Sequence, residues 1–257
     1  MNKRVLALTS ALGLAACGGG GSTGTGSVAT SGAPLVPASA SLTIVVPRAP
    51  ASAKRRPQFV SPNSSSISIT VVSVNGNAPT AAQAPVNPTT VALSTASGGN
   101  CTVVPAGETC TVPLPVPTGA VQYLFQLKDN AAHVLAKNTV TFTIAAGVAN
   151  QSFSAQLDGV VASVTVTKPA LTPGTSFSGP ITVQAFDASG ALIVGSAPYA
   201  NPFTLTDNDL TNHTSLTLNA QTAKTVGPVS SPNDVVILNY DGGVEPPFTI
   251  TATIPPG

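Results

Sequence analysis

VQYLFQLKDNAAHVLAKNTVTFTI, residues 121–144, decides the fold class of this chain. Val121, Tyr123, Phe125 and Leu127 alternate with Gln122, Leu124, Gln126 and Lys128, the period of two that puts every second side chain on one face of a strand. Asp129 and Asn130 then open a turn, a short apolar stretch (HVLAKN) follows, and TVTFTI (139–144) alternates again. The stretch reads as part of a β meander. The same grammar extends both ways. SLTIVVP (41–47), SISITVVSV (66–74) and two short strands around PAGE in CTVVPAGETCTVPLPV precede it; VALS is a further candidate, and QSFSAQL (151–157) is expected to close the meander.

Beyond it, VASVTVT (161–167), ITVQAF, PFTLTD, TSLTLNA, KTVGPV, VVILNY and PFTITATI recur at the roughly 8–12-residue spacing of a sandwich or barrel. KPALTPGTSFSG reads as a loop. A second piece, ITVQAFDASGALIVGSAPYANPFTLT (181–206), repeats the opening stretch: an alternating strand, an Asp turn at Asp187 where the first has Asp129, a short apolar strand and another alternating strand. We read a degenerate repeat of roughly 95 residues, of the size of one domain.

Composition supports this class. Charged residues make up 7% of the 257 and hydrophobic residues 42%, with 23 Gly, 24 Pro and no Trp; ordinary chains carry about 25% charge. The apolar residues are rich in Val and Ile, which suit pleated, half-buried surfaces. Residues 18–159 carry six basic and three acidic side chains, and residues 160–257 two basic and six acidic. That asymmetry points to two domains, 41–157 and 158–257.

The amino terminus gives an address. Lys3 and Arg4, an apolar run from Val5 to Leu14 and small residues thereafter form a secretory signal over 1–16, too short to span a bilayer that needs roughly 20 residues. Leu14-Ala15-Ala16-Cys17 resembles the lipobox of bacterial lipoproteins. The resemblance implies cleavage before Cys17, lipidation of its thiol and new amine (palmitate is the expected acyl chain), and anchorage in the cell envelope. Gly18 in place of aspartate favours the outer membrane by the same resemblance. Residues 17–40 continue as an uncharged Gly, Ser, Thr, Ala and Pro tether, with a reach on the order of 25 Å if it is a random coil. The connector 48–63 is proline-rich and holds Arg48, Lys54, Arg55 and Arg56. This basic patch reads as a solvated linker; lipid or lipopolysaccharide phosphate is its nearest alternative partner, and its single aromatic, Phe59, gives no base-stacking platform for nucleic acid.

VQAFDASGALIVG (183–195) resembles the strand, D-x-x-G turn and strand of bacterial immunoglobulin-like domains found in surface adhesins. The resemblance covers 160–257 and, more loosely, 62–157, and implies two tandem Ig-like β-sandwiches. The chain departs from antibody-type domains, having no Trp and no cysteine pair spaced to bridge two sheets. Cys101 and Cys110 flank a turn and read as a structural disulfide, which export favours; a redox or metal-thiolate pair is the alternative.

No G-x-S-x-G elbow, H-E-x-x-H, P-loop or dinucleotide fingerprint occurs. His133 and His213 lie in turn-like segments, as do Glu108 and Glu245, so catalysis is not expected. Asp207, Asn208 and Asp209 in TDNDLTN offer oxygen ligands of the type calcium takes, although Asp and Asn are also the ordinary residues of turns. The expected function is therefore a non-catalytic envelope lipoprotein with a structural or adhesive role. The alternative is an envelope module binding a carbohydrate or a partner protein, as an accessory to another complex where it has one.

Overall fold

The computed structural model describes residues 38–47, 60–105, 107–244 and 247–257. The signal, Cys17, residues 18–37 of the tether, Arg48, Lys54, Arg55, Arg56 and Glu245 lie outside the described residues, while the expected tether gives way to strand at Ala40. The fold is all-β, its sheets arranged as sandwiches, with no helix among the described residues.

The amino-terminal half contributes β1 (Ala40–Pro47), β2 (Ser66–Val74), β3 (Thr89–Ala92), β4 (Cys101–Val104), β5 (Gly107–Pro113), β6 (Gly119–Lys128), β7 (Val134–Ile144), β8 (Gln151–Ser154) and β9 (Asp158–Gly159). They form a five-stranded sheet ordered β3-β2-β6-β7-β9 and a four-stranded sheet ordered β4-β5-β1-β8. The alternation in the sequence becomes the core: Val121, Tyr123, Phe125 and Leu127 of β6 and Ile67 and Ile69 of β2 are buried with Leu42 and Ile44 of β1 and Val112 of β5. Phe142 of β7 stacks on Phe153 of β8 with ring centroids 4.5 Å apart, joining the sheets through their aromatic faces.

Two expectations are corrected here. VLAKN (134–138) and TVTFTI are one continuous strand, β7, whose ladder with β6 shifts register once, between Leu127 and Lys128. The segment QSFSAQL does not close a meander: β8 lies in the other sheet and pairs parallel with β1. Alternation fixes which face a side chain takes but not which strand lies beside it.

The carboxyl-terminal half contributes β10 (Ser163–Thr167), β11 (Phe177–Pro180), β12 (Thr182–Phe186), β13 (Phe203–Asp207), β14 (Thr214–Leu218), β15 (Gln221–Ala223), β16 (Thr225–Val229), β17 (Ile237–Tyr240) and β18 (Ile250–Thr253). One sheet is ordered β11-β17-β14-β15, a second β16-β13-β18, and β10 pairs with β12. Phe203 and Leu205 of β13, Leu216 of β14 and Leu238 of β17 are fully buried among these sheets. Part of the expected loop KPALTPGTSFSG is strand β11, whereas ALIVG after Asp187 forms only an isolated bridge between Phe186 and Leu192.

The repeat is preserved in its turns. Asp129 Oδ1 accepts from the N–H groups of Ala131 and His133, both at 2.9 Å. Asp187 Oδ1 accepts from those of Ser189 and Ala191, at 2.9 and 3.0 Å. The third residue after each aspartate is left-handed: Ala132 at φ 66° and Gly190 at φ 82°. The strands leaving the turns diverge, since β7 pairs with β6 but β13 pairs with β16 and β18.

No ladder among the described residues joins β1–β9 to β10–β18, while the described residues pack as one compact unit. Side chains and backbone close the seam, chiefly around Val161 and Asn201.

Cys101 and Cys110 are bonded and sit directly opposite each other on β4 and β5. The closed loop is short, so the link stabilises chiefly by restraining the unfolded chain, by about 2.5 kcal/mol. Replacing both cysteines with serine should lower the unfolding free energy by that amount, read as an earlier denaturation midpoint; an unchanged midpoint would show the bridge to be dispensable.

Candidate functional site

The acidic loop TDNDLTN closes on itself around a lysine. Asp207 ends β13 and Asp209 lies two residues on; both carboxylates are buried. Lys224, between β15 and β16, brings its Nζ to 3.3 Å from Asp207 Oδ2 and 3.0 Å from Asp209 Oδ2. The Thr214 hydroxyl, at the start of β14, donates to Asp207 Oδ2 at 2.7 Å, and its N–H donates to Asp209 Oδ2 at 2.9 Å. Asp209 Oδ1 takes the Thr211 N–H at 2.7 Å, and Asp209 N–H donates to Asp207 Oδ1 at 3.0 Å. Burial works to raise the Asp209 carboxyl, but the bonds from Thr211, Thr214 and Lys224 outweigh it and hold the group far below the usual carboxylate range.

The three expected calcium ligands therefore do not form one donor set. Asn208 turns away, its amide donating to the hydroxyls of Thr249 and Thr251 at 3.2 Å each. The cation between the two carboxylates is the Lys224 ammonium. Lys224 and Thr214 are the members sequence reasoning missed; the available signal was that Lys224 is one of two basic residues in a half that carries six acidic ones.

The two histidines each rest on a carboxylate. His133 Nδ1 lies 3.0 Å from Asp129 Oδ2 across an exposed turn. His213 Nδ1 lies 3.0 Å from Asp241 Oδ1 and 3.1 Å from Oδ2. The His213 bond and the Gly243 N–H, 2.8 Å from Asp241 Oδ1, hold the Asp241 carboxyl below its ordinary range. A Cβ on Gly243 would collide with the His213 ring, so the imidazole is wedged against backbone. Ser176, Ser178, Asn212, Ser215 and Asn239 join this pair around a shallow cleft of about 350 Å³. A larger cleft, about 670 Å³, is walled mainly by Pro85, Val86 and the prolines of 113–117, with no charged group in its lining.

Tyr123, Tyr199, Phe203 and Tyr240 are core residues. Glu108 lies beside the Cys101–Cys110 pair, the three side chains within 4.8 Å of one another, but both sulfurs are spent on the disulfide. Asp187 is buried with its Oδ2 unpartnered, beside the Ser189 hydroxyl that Asn63 reaches at 3.1 Å.

The outward faces are hydroxyl-rich. Thr204 stands opposite Thr253, and Thr206 opposite both Thr251 and Thr225; the Thr206 and Thr225 hydroxyls are 3.0 Å apart. On the other sheet Thr217 and Thr222 meet at 2.7 Å.

No protein-family model matches the chain, and no curated protein or solved structure is similar to it.

Proposed function

We propose that this chain is a non-catalytic envelope lipoprotein, acylated at Cys17, whose tether holds Ig-like β-sandwiches away from the membrane for a structural or adhesive role. The observation that carries the reading is the hydroxyl-rich outward face of its sheets, where Thr204 and Thr206 stand opposite Thr253 and Thr251. Lys224 is taken by Asp207 and Asp209, His213 by Asp241 and His133 by Asp129, while the Asp234 carboxylate receives the N–H groups of Ser230 and Ser231. These contacts hold the loops between the strands in place, and a sheet surface of threonine hydroxyls is suited to contact. The signal-like 1–16 and the lipobox-like Leu14-Ala15-Ala16-Cys17 supply the address; the outer membrane is the favoured destination.

Cell fractionation with protease shaving tests this. The mature protein should start at Cys17, carry acyl mass on that residue, and be shaved from intact cells. Cys17→Ser should move it from the membrane to the soluble fraction. Retention of residues before 17, or an unacylated Cys17, would sink the reading.

A second reading, a carbohydrate-binding module, is favoured by the polar cleft beside His213 and Asp241.

A further inference from the structure

The sheet β11-β17-β14 ends in two polar rows. Ser178, Asn239 and Ser215 stand abreast, because Ser178 is paired with Asn239 and Asn239 with Ser215. One step toward the strand ends, Asp241 stands beside His213, its N–H donating to the His213 carbonyl at 3.1 Å. These rows floor the cleft of about 350 Å³, at the small end of ligand sites.

Phe177 and Tyr240 also line it, and of its polar groups Asn239 and Asp241 are fixed yet keep bonding capacity. Asn239 Oδ1 accepts from the Ser178 hydroxyl at 2.8 Å, and Asn239 Nδ2 donates to Thr217 Oγ1 at 2.8 Å. An amide has two donors and two lone pairs on its oxygen, so one of each remains. Asp241 receives Gly243 N–H and His213 Nδ1, while its side chain is 61% exposed. A carboxylate offers about four acceptor positions, and the outward ones are open to two adjacent hydroxyls. The Tyr240 hydroxyl donates to the Gly243 carbonyl and secures the loop that wedges His213.

We propose that this cleft binds a neutral glycan, with Asp241 accepting from a vicinal diol and Asn239 and Ser215 pairing with the hydroxyls next to it. The ligand class follows from the lining. Hydroxyls and amides both donate and accept, as sugar hydroxyls require. The outward residues of the two rows are polar, which disfavours an acyl chain or an apolar peptide. Asp241 is the only carboxylate among the described residues of the lining and would meet the ligand first, which repels phosphates and uronates. The inference rests on the carbohydrate-binding reading and adds the site and the sugar groups it takes; it does not depend on acylation of Cys17.

The test is a titration of the full mature chain, in detergent, with maltohexaose, cellohexaose, mannohexaose and N-acetylchitohexaose, and with a hyaluronan hexamer as the anionic comparator, followed by amide NMR shifts. At least one neutral hexamer should bind saturably, with a Kd on the order of 1 mM for so shallow a site. The largest shifts should fall at His213, Asn239 and Asp241. Asp241→Ala should weaken binding at least tenfold, and Ser215→Arg, which fills the cleft and leaves the His213–Asp241 pair in place, should abolish it. Ser152→Ala, on β8 of the amino-terminal half, should bind as the parent does. Binding by hyaluronan alone, no binding by any neutral hexamer, shifts confined to another face, or unchanged affinity in both cleft variants would each overturn the proposal. Because the titration reads binding in purified protein, its failure leaves the surface-display reading standing, and loss of display leaves the titration unaffected.

Discussion

Lys224→Met is expected to destabilise the fold by about 3 kcal/mol, one of the two largest losses from a single exchange outside the apolar core. Removing one partner of a buried ion pair leaves the other charge uncompensated, at a cost of about 3–5 kcal/mol. Two carboxylates share this partner, both buried, whereas the lysine side chain keeps 32% of its surface in water, which places the loss toward the low end. Urea unfolding of Lys224→Met, of Asp207→Asn/Asp209→Asn and of the triple variant gives the check. The triple variant should recover much of what Lys224→Met loses, since it no longer buries unpaired charge. If Lys224→Met unfolds at the parental midpoint, the two carboxylates find their compensation in hydroxyl and backbone donors alone.

The same network sets an acid limb. The folded-state pKa of Asp209 is depressed, so its contribution is fully present above the unfolded carboxylate value, about 4, and is lost as the pH falls below it toward the folded value. Melting temperature should therefore decline steeply below about pH 4, and less steeply in Asp209→Asn. In Lys224→Met the vacated ammonium position faces two carboxylates, and calcium chloride should restore part of the lost stability there while leaving the parent unchanged. A parent midpoint that falls on adding chelator would instead mean that a metal works alongside Lys224.

How much of this could be read from the chain depends on the range of the interaction. The extent of SISITVVSV coincides with β2 because its alternation is local, although the burial departs from it at Ser68 and at the bulge between Val71 and Ser73, which returns Val74 to the core. The Asp129 and Asp187 turns were legible for the same reason: an aspartate holding the N–H groups two and four residues on needs nothing remote. The place of β8 was not legible. Its partner β1 lies more than a hundred residues earlier in the chain, and its short run of alternation fits either sheet. ALIVG has the composition of a strand yet makes one bridge, because β13, which follows it, is taken up by β16 and β18. Asp207 and Asp209 drew attention as oxygen donors, but their cation arrives only after β14, β15 and β16 have turned back on one another. The His213–Asp241 pair likewise needs the register of β14 against β17, which no window of sequence contains.

Asn201 is the other position where one side chain should matter most. Its Oδ1 accepts the Val161 N–H at 2.8 Å, and its Nδ2 donates to the carbonyls of Val161 and Pro255 at 3.0 and 3.1 Å, all with Asn201 buried. Val161 lies just after β9, where the chain leaves the first set of ladders, and Pro255 follows β18 at the end of the second. Gly159 accepts the Ala200 N–H at 2.9 Å beside them. Asn201→Ala strands both backbone groups of Val161 in a buried seam, and at about 1–3 kcal/mol for each unsatisfied group the expected loss is about 3 kcal/mol. Asn201→Asp keeps the acceptor for Val161 N–H but sets a carboxylate against two carbonyls, so it should do no better than alanine. The seam also decides cooperativity. If Asn201 couples the two halves, calorimetry of the parent gives a single transition and Asn201→Ala splits it in two, with the earlier step carrying most of the loss. A parent that already melts in two steps, with Asn201→Ala shifting both equally, would show that the halves fold independently and that Asn201 merely joins them.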